Sequence, residues 1–281
     1  MLSISNPTIA VSSWSVHRAL GVTYPNAPEN DVFAEAEATF GPGDMSLMEL
    51  PARIAERGID RLEICHFHLQ SRDPAYLGEV RAALADAGVT LQSLLIDNGD
   101  LTHPAERQRD AAWIGRWIDA AAILGAKQAR VIAGKQKPTP ETLGLAVEGL
   151  GELARRGAGE GVRVITENWF DLLAGPKEVD HVLDRLDGAV GFLADFGNWK
   201  GPGKYADLAA VLERAEDAHA KCFFSAAGTM DRDDFGKCLA AAQAAHYDGP
   251  YTLIYESPGD DEWAAVRLEE EFLRDYLAGH A

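Results

Sequence analysis

Val164-Ile-Thr-Glu-Asn-Trp169 is an apolar run that ends abruptly in a carboxylate, an amide and an aromatic ring. Three later runs end in the same manner: Val190-Gly-Phe-Leu-Ala-Asp195, Asp217-Ala-His-Ala-Lys221 and Tyr251-Thr-Leu-Ile-Tyr-Glu256. Glu167, Asp195, His219 and Glu256 are each costly in an apolar interior unless paired or bound to an ion. Placed together, the four read as a metal site.

Short apolar runs alternate with amphipathic ones along the whole chain. Strands are expected over Thr8–Trp14, Ile59–Cys65, Val89–Ile96, Ala129–Ala133, Val162–Thr166, Ala189–Ala194, Ala218–Phe224 and Tyr251–Tyr255, each rich in β-branched or apolar residues and bounded by turn residues. Between them, helices are expected over 46–58, Pro74–Ala87, Pro104–Leu124, Thr139–Gly157, Pro176–Leu186, Tyr205–Arg214, Asp231–Ala245 and Asp261–Leu277. Ser46 and Glu49 suggest a capping box, Pro140 suits a first helical turn, and Gly88 and Gly125 suit helix ends. The stretch 24–44, rich in Pro, Gly and acidic residues, reads as a loop with at most a short helix.

Eight strands alternating with eight helices predict α/β architecture as a single (β/α)8 TIM barrel, with residues 1–281 as one domain. A doubly wound open sheet is the rival layout. It would want a glycine-rich phosphate loop after the first strand and polar groups at one switch point, and neither is present.

The 44 acidic against 26 basic side chains give a formal charge of -18, which repels polyanions and argues against nucleic-acid or anionic membrane partners. No run of apolar residues has the length of a membrane helix, and no basic segment followed by an apolar run marks an export signal. Cys65, Cys222 and Cys238 are odd in number and without paired spacing, so they read as buried thiols of a reducing cytoplasm.

In such a barrel the strand C-termini carry the active site. Glu167, Asp195, His219 and Glu256 fall at the ends of strands five to eight, which are consecutive around the wall. Taken singly, each is more simply a helix cap or an ion-pair partner; four in register on adjacent strands are not. Three carboxylates and an imidazole suit one octahedral Mn²⁺, Mg²⁺ or Co²⁺ with two open positions, and Zn²⁺ is compatible.

Position suggests further pocket residues. His66 and His68 share a strand face if the second strand continues through them, and would then hydrogen-bond substrate hydroxyls; a structural histidine is the rival reading. Trp14 and Trp169 are candidates to wall a sugar, or to pack in the core. Lys221 shares the face of His219 and reads either as a ligand for a hydroxyl or as an ion-pair partner of Asp195 or Glu256. Asn198, Asn168 and His17 are weaker candidates, and His181 and His246 read as structural.

Thr166-Glu-Asn168, Ala194-Asp-Phe-Gly-Asn198, His219-Ala-Lys221 and Tyr247-Asp-Gly-Pro-Tyr251 leading to Glu256 resemble, in order and spacing, the xylose isomerase-like barrel superfamily of sugar isomerases and epimerases. The resemblance covers essentially the whole chain. It implies one divalent metal held by Glu167, Asp195, His219 and Glu256, with Glu167 and Glu256 as catalytic acid and base. A metal chelated by a carbonyl and its neighbouring hydroxyl acidifies the intervening C–H and stabilises the enediolate, and two carboxylates remove and return the proton. A sugar or polyol substrate follows, and a dimer or tetramer, with the Trp113 and Trp117 helix as a candidate interface. A dehydratase of the inosose or dehydroshikimate type is the alternative on the same scaffold. An apurinic-site endonuclease is a remote one, disfavoured by the charge of -18.

The sequence departs from the superfamily after His219-Ala-Lys221, where Cys222 replaces the common acidic residue and Phe223-Phe-Ser-Ala-Ala-Gly228 is unusually apolar. Gly228 and Arg232 make a poor phosphate site, so an unphosphorylated sugar, cyclic polyol or keto acid is expected.

Overall fold

A computed structural model describes residues 7–259 and 261–280. Among these, eight strands form a closed, all-parallel barrel: β1 Ile9–Ser12, β2 Arg61–Cys65, β3 Thr90–Ile96, β4 Gln128–Val131, β5 Arg163–Glu167, β6 Gly191–Asp195, β7 Asp217–Lys221 and β8 Tyr251–Ile254. Pairing of Val11 with Leu62 on one side and Leu253 on the other closes the ring. The strands are short and buried along nearly their whole length, as expected where helices cover the outer face and neighbouring strands fill the inner one.

The helices are α1 His17–Leu20, α2 Leu50–Ala55, α3 Pro74–Asp86, α4 Arg107–Leu124, α5 Pro140–Glu160, α6 Pro176–Leu186, α7 Lys204–Leu212, α8 Arg232–Ala244 and α9 Glu262–Leu277. Their starts follow local chemistry. Pro74, Pro140 and Pro176 occupy the first turn, where a missing N–H leaves no bond unmade. Asp73, Thr139, Asp231 and Asp261 accept hydrogen bonds from first-turn backbone N–H groups. Gly125 ends α4 in the left-handed conformation at φ 75°.

The main core lies between barrel and helices, around Trp113, Trp117, Phe192, Phe196 and Phe235. Inside the barrel, Ile165, Leu193 and Ile254 are buried above a polar layer. In that layer Gln92 donates to Gln128 at 3.3 Å and to Asp217 at 3.1 Å, and Thr252 donates to Asp217 at 3.3 Å.

Some local expectations are corrected. β2 stops at Cys65, and His66–His68 form a single 3-10 turn, so the two histidines do not share a strand face. β7 stops at Lys221, leaving Cys222 to Phe224 outside it. As expected, the stretch 24–44 is a loop; it contains no helix, and isolated bridges such as Ala27 to Asn30 order it. Only half of the Ser46–Glu49 box forms: the Ser46 N–H and hydroxyl both donate to Glu49 Oε2, at 2.8 and 2.7 Å, and the helix starts at Leu50 with Pro51 in its first turn. Trp113 and Trp117 are fully buried, their indole N–H groups 2.8 and 3.3 Å from Asn26 Oδ1, so they offer no surface for an interface. All three cysteines are buried and free.

Candidate metal centre

At the C-terminal mouth of the barrel, a cavity of about 360 Å³ is lined by Glu167, Asp195, His219 and Glu256, by Trp14, Trp169, Asn198 and Lys221, and by Asp97 and Arg130. The two-residue period of a strand decides which side chains enter it. Glu167 and Asp195 are the last residues of β5 and β6, and His219 pairs directly with Asp195 in the β6–β7 ladder.

Glu167, Asp195 and His219 each present one ligand atom, all within 4.8 Å of one another. His219 Nδ1 lies 3.5 Å from Asp195 Oδ2 and 3.7 Å from Glu167 Oε1. Its Nε2 lies 2.8 Å from Glu63 Oε2, on the fully buried side chain of β2. With Glu63 paired to Nε2, Nδ1 faces the two carboxylates and is the atom that would meet an ion once it gives up its proton, the carboxylate–imidazole arrangement that orients metal-binding histidines. Asp195 Oδ1 accepts from the N–H groups of Gly197 at 2.6 Å and Asn198 at 2.9 Å, which turns Oδ2 toward His219. Glu167 Oε1 accepts from Asn198 Nδ2 at 2.7 Å, and Oε2 stands 3.1 Å from Arg130 Nε.

Glu256 stands apart from this convergent set. Its side chain is 37% exposed, and Lys221 Nζ lies between the two groups, 3.2 Å from Glu256 Oε2 and 3.5 Å from Asp195 Oδ2. The Lys221 ammonium, its side chain 12% exposed, thus pairs with a carboxylate on each side.

The electrostatics follow. Burial works against the charged imidazole of His219, but Glu63, Asp195 and Glu167 outweigh it and push the group up to about 10. Burial also works against ionisation of Asp195, yet Lys221 and His219 hold it well below the usual carboxylate range. Burial pushes Glu167 up, with Arg130 opposing. A convergent carboxylate pair and an imidazole with its second nitrogen already secured fit a divalent cation.

Trp14 and Trp169 line the cavity, as does Lys221. Asn198 uses its amide and its backbone N–H to link Glu167 to Asp195. His66 and His68 are not brought to the cavity wall; Phe67 between them is. His66 packs edge-on against Trp113 and Trp117, its Nδ1 accepting from the Asp97 N–H at 3.2 Å. His68 Nδ1 is 2.8 Å from Ser13 Oγ, and burial lowers its pKa to about 3, so it stays neutral. Asn168 exchanges two hydrogen bonds with the backbone of Asp195 and ties β5 to β6, while His17 is buried under Trp14. Arg232 lies over Phe272, away from the cavity.

Sequence reasoning missed Glu63, Asp97 and Arg130. A signal existed for each: Glu63 and Arg130 are charges inside short buried strands, and Asp97 ends the apolar run of β3 just as Asp195 ends that of β6.

Fold and site together define a parallel eight-stranded barrel with a carboxylate–imidazole centre at its C-terminal mouth. Residues 51–276 match the sequence profile of the xylose isomerase-like TIM barrel family, and the chain belongs to that family. No curated protein matches it in sequence. Among solved structures, a xylose isomerase-like TIM barrel protein from Mycobacterium smegmatis in complex with magnesium is 19% identical, each chain fully covered, with a TM-score of 0.66. The 3-keto-D-glucoside 4-epimerase of E. coli is 17% identical over 95% of this chain and 99% of its own, with a TM-score of 0.67. D-psicose 3-epimerase from Clostridium cellulolyticum H10, solved with D-tagatose, is 14% identical over 97% and 98%, with a TM-score of 0.64.

Proposed function

We propose that this protein is a divalent-metal-dependent isomerase or epimerase of an unphosphorylated sugar or keto-polyol. The observation that carries the reading is the convergence of Glu167, Asp195 and His219 within 4.8 Å, with Glu63 securing the imidazole. Structural neighbours that are sugar epimerases support it.

Glu167, Asp195 and His219 would hold the ion, and Glu256 would complete the set. A bound Mn²⁺, Mg²⁺ or Co²⁺ would supply Lewis acidity toward a carbonyl and an adjacent hydroxyl. The chain does the rest. Glu256, the accessible carboxylate of the cavity, takes a proton from the carbon beside the carbonyl, and Glu167 is its counterpart in an acid/base pair. Lys221, beside Glu256, orients a substrate hydroxyl, and Trp14 and Trp169 exclude water from the sugar faces. The cations lining the cavity are already neutralised, Arg130 by Asp97 and Glu167, Lys221 by Asp195 and Glu256, and His219 by Glu63. A phosphate would therefore find no free counter-charge, which favours a neutral substrate. Free buried thiols accord with a cytoplasmic enzyme, and the charge of -18 argues against nucleic acid as partner. The proposed enzyme is a homodimer or homotetramer; no helix among the described residues is long and apolar enough to cross a membrane.

Proton NMR of ketoses and keto-glycosides in D₂O tests this reading. Deuterium should enter at the carbon next to the carbonyl, stop on chelation and return with Mn²⁺, and Glu256→Gln should lower the rate by about 10²-fold or more. Full activity after exhaustive chelation would sink the proposal, and an unsaturated product formed by loss of water would assign a dehydratase instead.

A further inference from the structure

Arg130 belongs to no expected ligand set, yet it is a guanidinium buried at the heart of the cavity wall, its side chain 3% exposed. Two of its nitrogens donate hydrogen bonds and the third makes an ion pair only. Nη2 donates to Asp97 Oδ1, Nη1 donates to the Ile96 carbonyl at 3.4 Å, and Nε faces Glu167 Oε2 at 3.1 Å. The guanidinium carbon lies 5.1 Å from the ring centre of Trp169, two residues beyond Glu167. At the other end of the same carboxylate, Oε1 accepts from Asn198 and lies 3.7 Å from His219 Nδ1. Glu167 therefore has a hydrogen bond at Oε1 and an ion pair with Arg130, without hydrogen-bond geometry, at Oε2.

We propose that Arg130, anchored by Asp97, is a positioning residue that turns Glu167 so that Oε1 alone addresses the metal centre, making Glu167 a one-oxygen ligand. The inference rests on the metal-centre reading above. A lysine cannot substitute, because its ammonium is a point charge without the planar fork that engages β3 and β5 together.

The sign of one measurement separates positioning from bulk electrostatics. A buried positive charge beside a cation site weakens cation binding by repulsion. If Arg130 acts only through its charge, Arg130→Met should bind Mn²⁺ more tightly. If it positions Glu167, the loss of orientation should win and weaken binding, by about tenfold or more. Titration with Mn²⁺, read by the electron paramagnetic resonance of free Mn²⁺, compares wild type, Arg130→Met, Arg130→Lys and Asp97→Asn. All three variants are expected to weaken binding, with Asp97→Asn the mildest. Added guanidinium at a non-denaturing concentration should restore part of the affinity of Arg130→Ala and none of that of Arg130→Lys.

Unchanged or tighter Mn²⁺ binding by Arg130→Met would overturn the proposal. If circular dichroism shows that variant unfolded, Arg130→Lys and Asp97→Asn decide, and wild-type affinity in both overturns it. Wild-type protein that binds no Mn²⁺, Mg²⁺, Co²⁺ or Zn²⁺ would sink the metal-centre reading and this one with it. Wild-type binding with indifferent variants would sink only the positioning role.

Discussion

Glu63 and Glu269 are both buried carboxylates, and their surroundings give them opposite consequences. Glu63 is matched by His219 at 2.8 Å, and its expected effect is on metal affinity. Glu63→Ala should weaken Mn²⁺ binding by about 10- to 100-fold through loss of imidazole orientation, measured by calorimetric titration. Glu269, on α9, is fully buried, and neither carboxylate oxygen has a hydrogen-bond partner among the described residues. Burial pushes its pKa well above the ordinary value of 4.5. The folded state then holds a proton that the unfolded state releases above about 4.5. Stability from this group is thus fully present below that pH and is lost as pH rises through the folded value. Glu269→Gln, neutral at every pH, should be more stable than wild type at pH 7 to 8 and lose that advantage near pH 4.5, in urea melts at both ends. The same residue scale marks the limit of the sequence. The strand-end carboxylates were legible because each interrupts an apolar run. His66 and His68 misled because the chain turns at Cys65 and aims them into the wall.

At the scale of elements, α5 shows both what local rules specify and where they fail. Thr139, Pro140 and Thr142 form the expected start, with Thr139 Oγ1 accepting from the Thr142 N–H at 3.1 Å and Thr142 Oγ1 accepting from the Thr139 N–H at 2.9 Å. Thr139→Ala should cost about 1 kcal/mol, seen as a lowered thermal midpoint. Gly157, near the other end, looks by propensity like a residue to improve, since glycine is about 1 kcal/mol worse than alanine inside a helix. Packing reverses the sign: a Cβ there would stand 2.6 Å from the Val162 carbonyl oxygen and 2.9 Å from a Val164 methyl. Gly157→Ala should therefore destabilise, by about 1–3 kcal/mol, and a raised unfolding midpoint would contradict the close approach of α5 to β5. Where first-turn residues were strong, as at Pro176, the expected helix bounds match the structure. Where they competed, as at Ser46 against Pro51, the start moved by a few residues.

For the whole molecule, a formal charge of -18 on a compact barrel means net self-repulsion in the folded state. Surface ion pairs such as Arg156 with Asp119 and Arg214 with Asp184 relieve it only locally. Raising NaCl from about 20 to about 200 mM shortens the screening length severalfold, and the thermal midpoint should rise; a fall would mean that attractive pairs dominate. Closure of the barrel is also what makes the centre. The alternation of eight apolar runs with amphipathic ones, the capping residues and the breaks at Gly and Pro were determined by the sequence alone, because each depends on neighbours within a turn or two of chain. With them came the family and the strand-end positions of Glu167 and Asp195, whereas His219 sits in the middle of β7 and Glu256 two residues beyond β8. Only the tertiary structure decided that Glu63 on β2 would face His219 across the barrel, 156 residues away. It likewise joined Arg130, Asp97 and Glu167 from three adjacent strands, and set Glu256 outside the convergent trio. Those contacts depend on strand register and side-chain direction around a closed ring, which no local stretch of residues encodes.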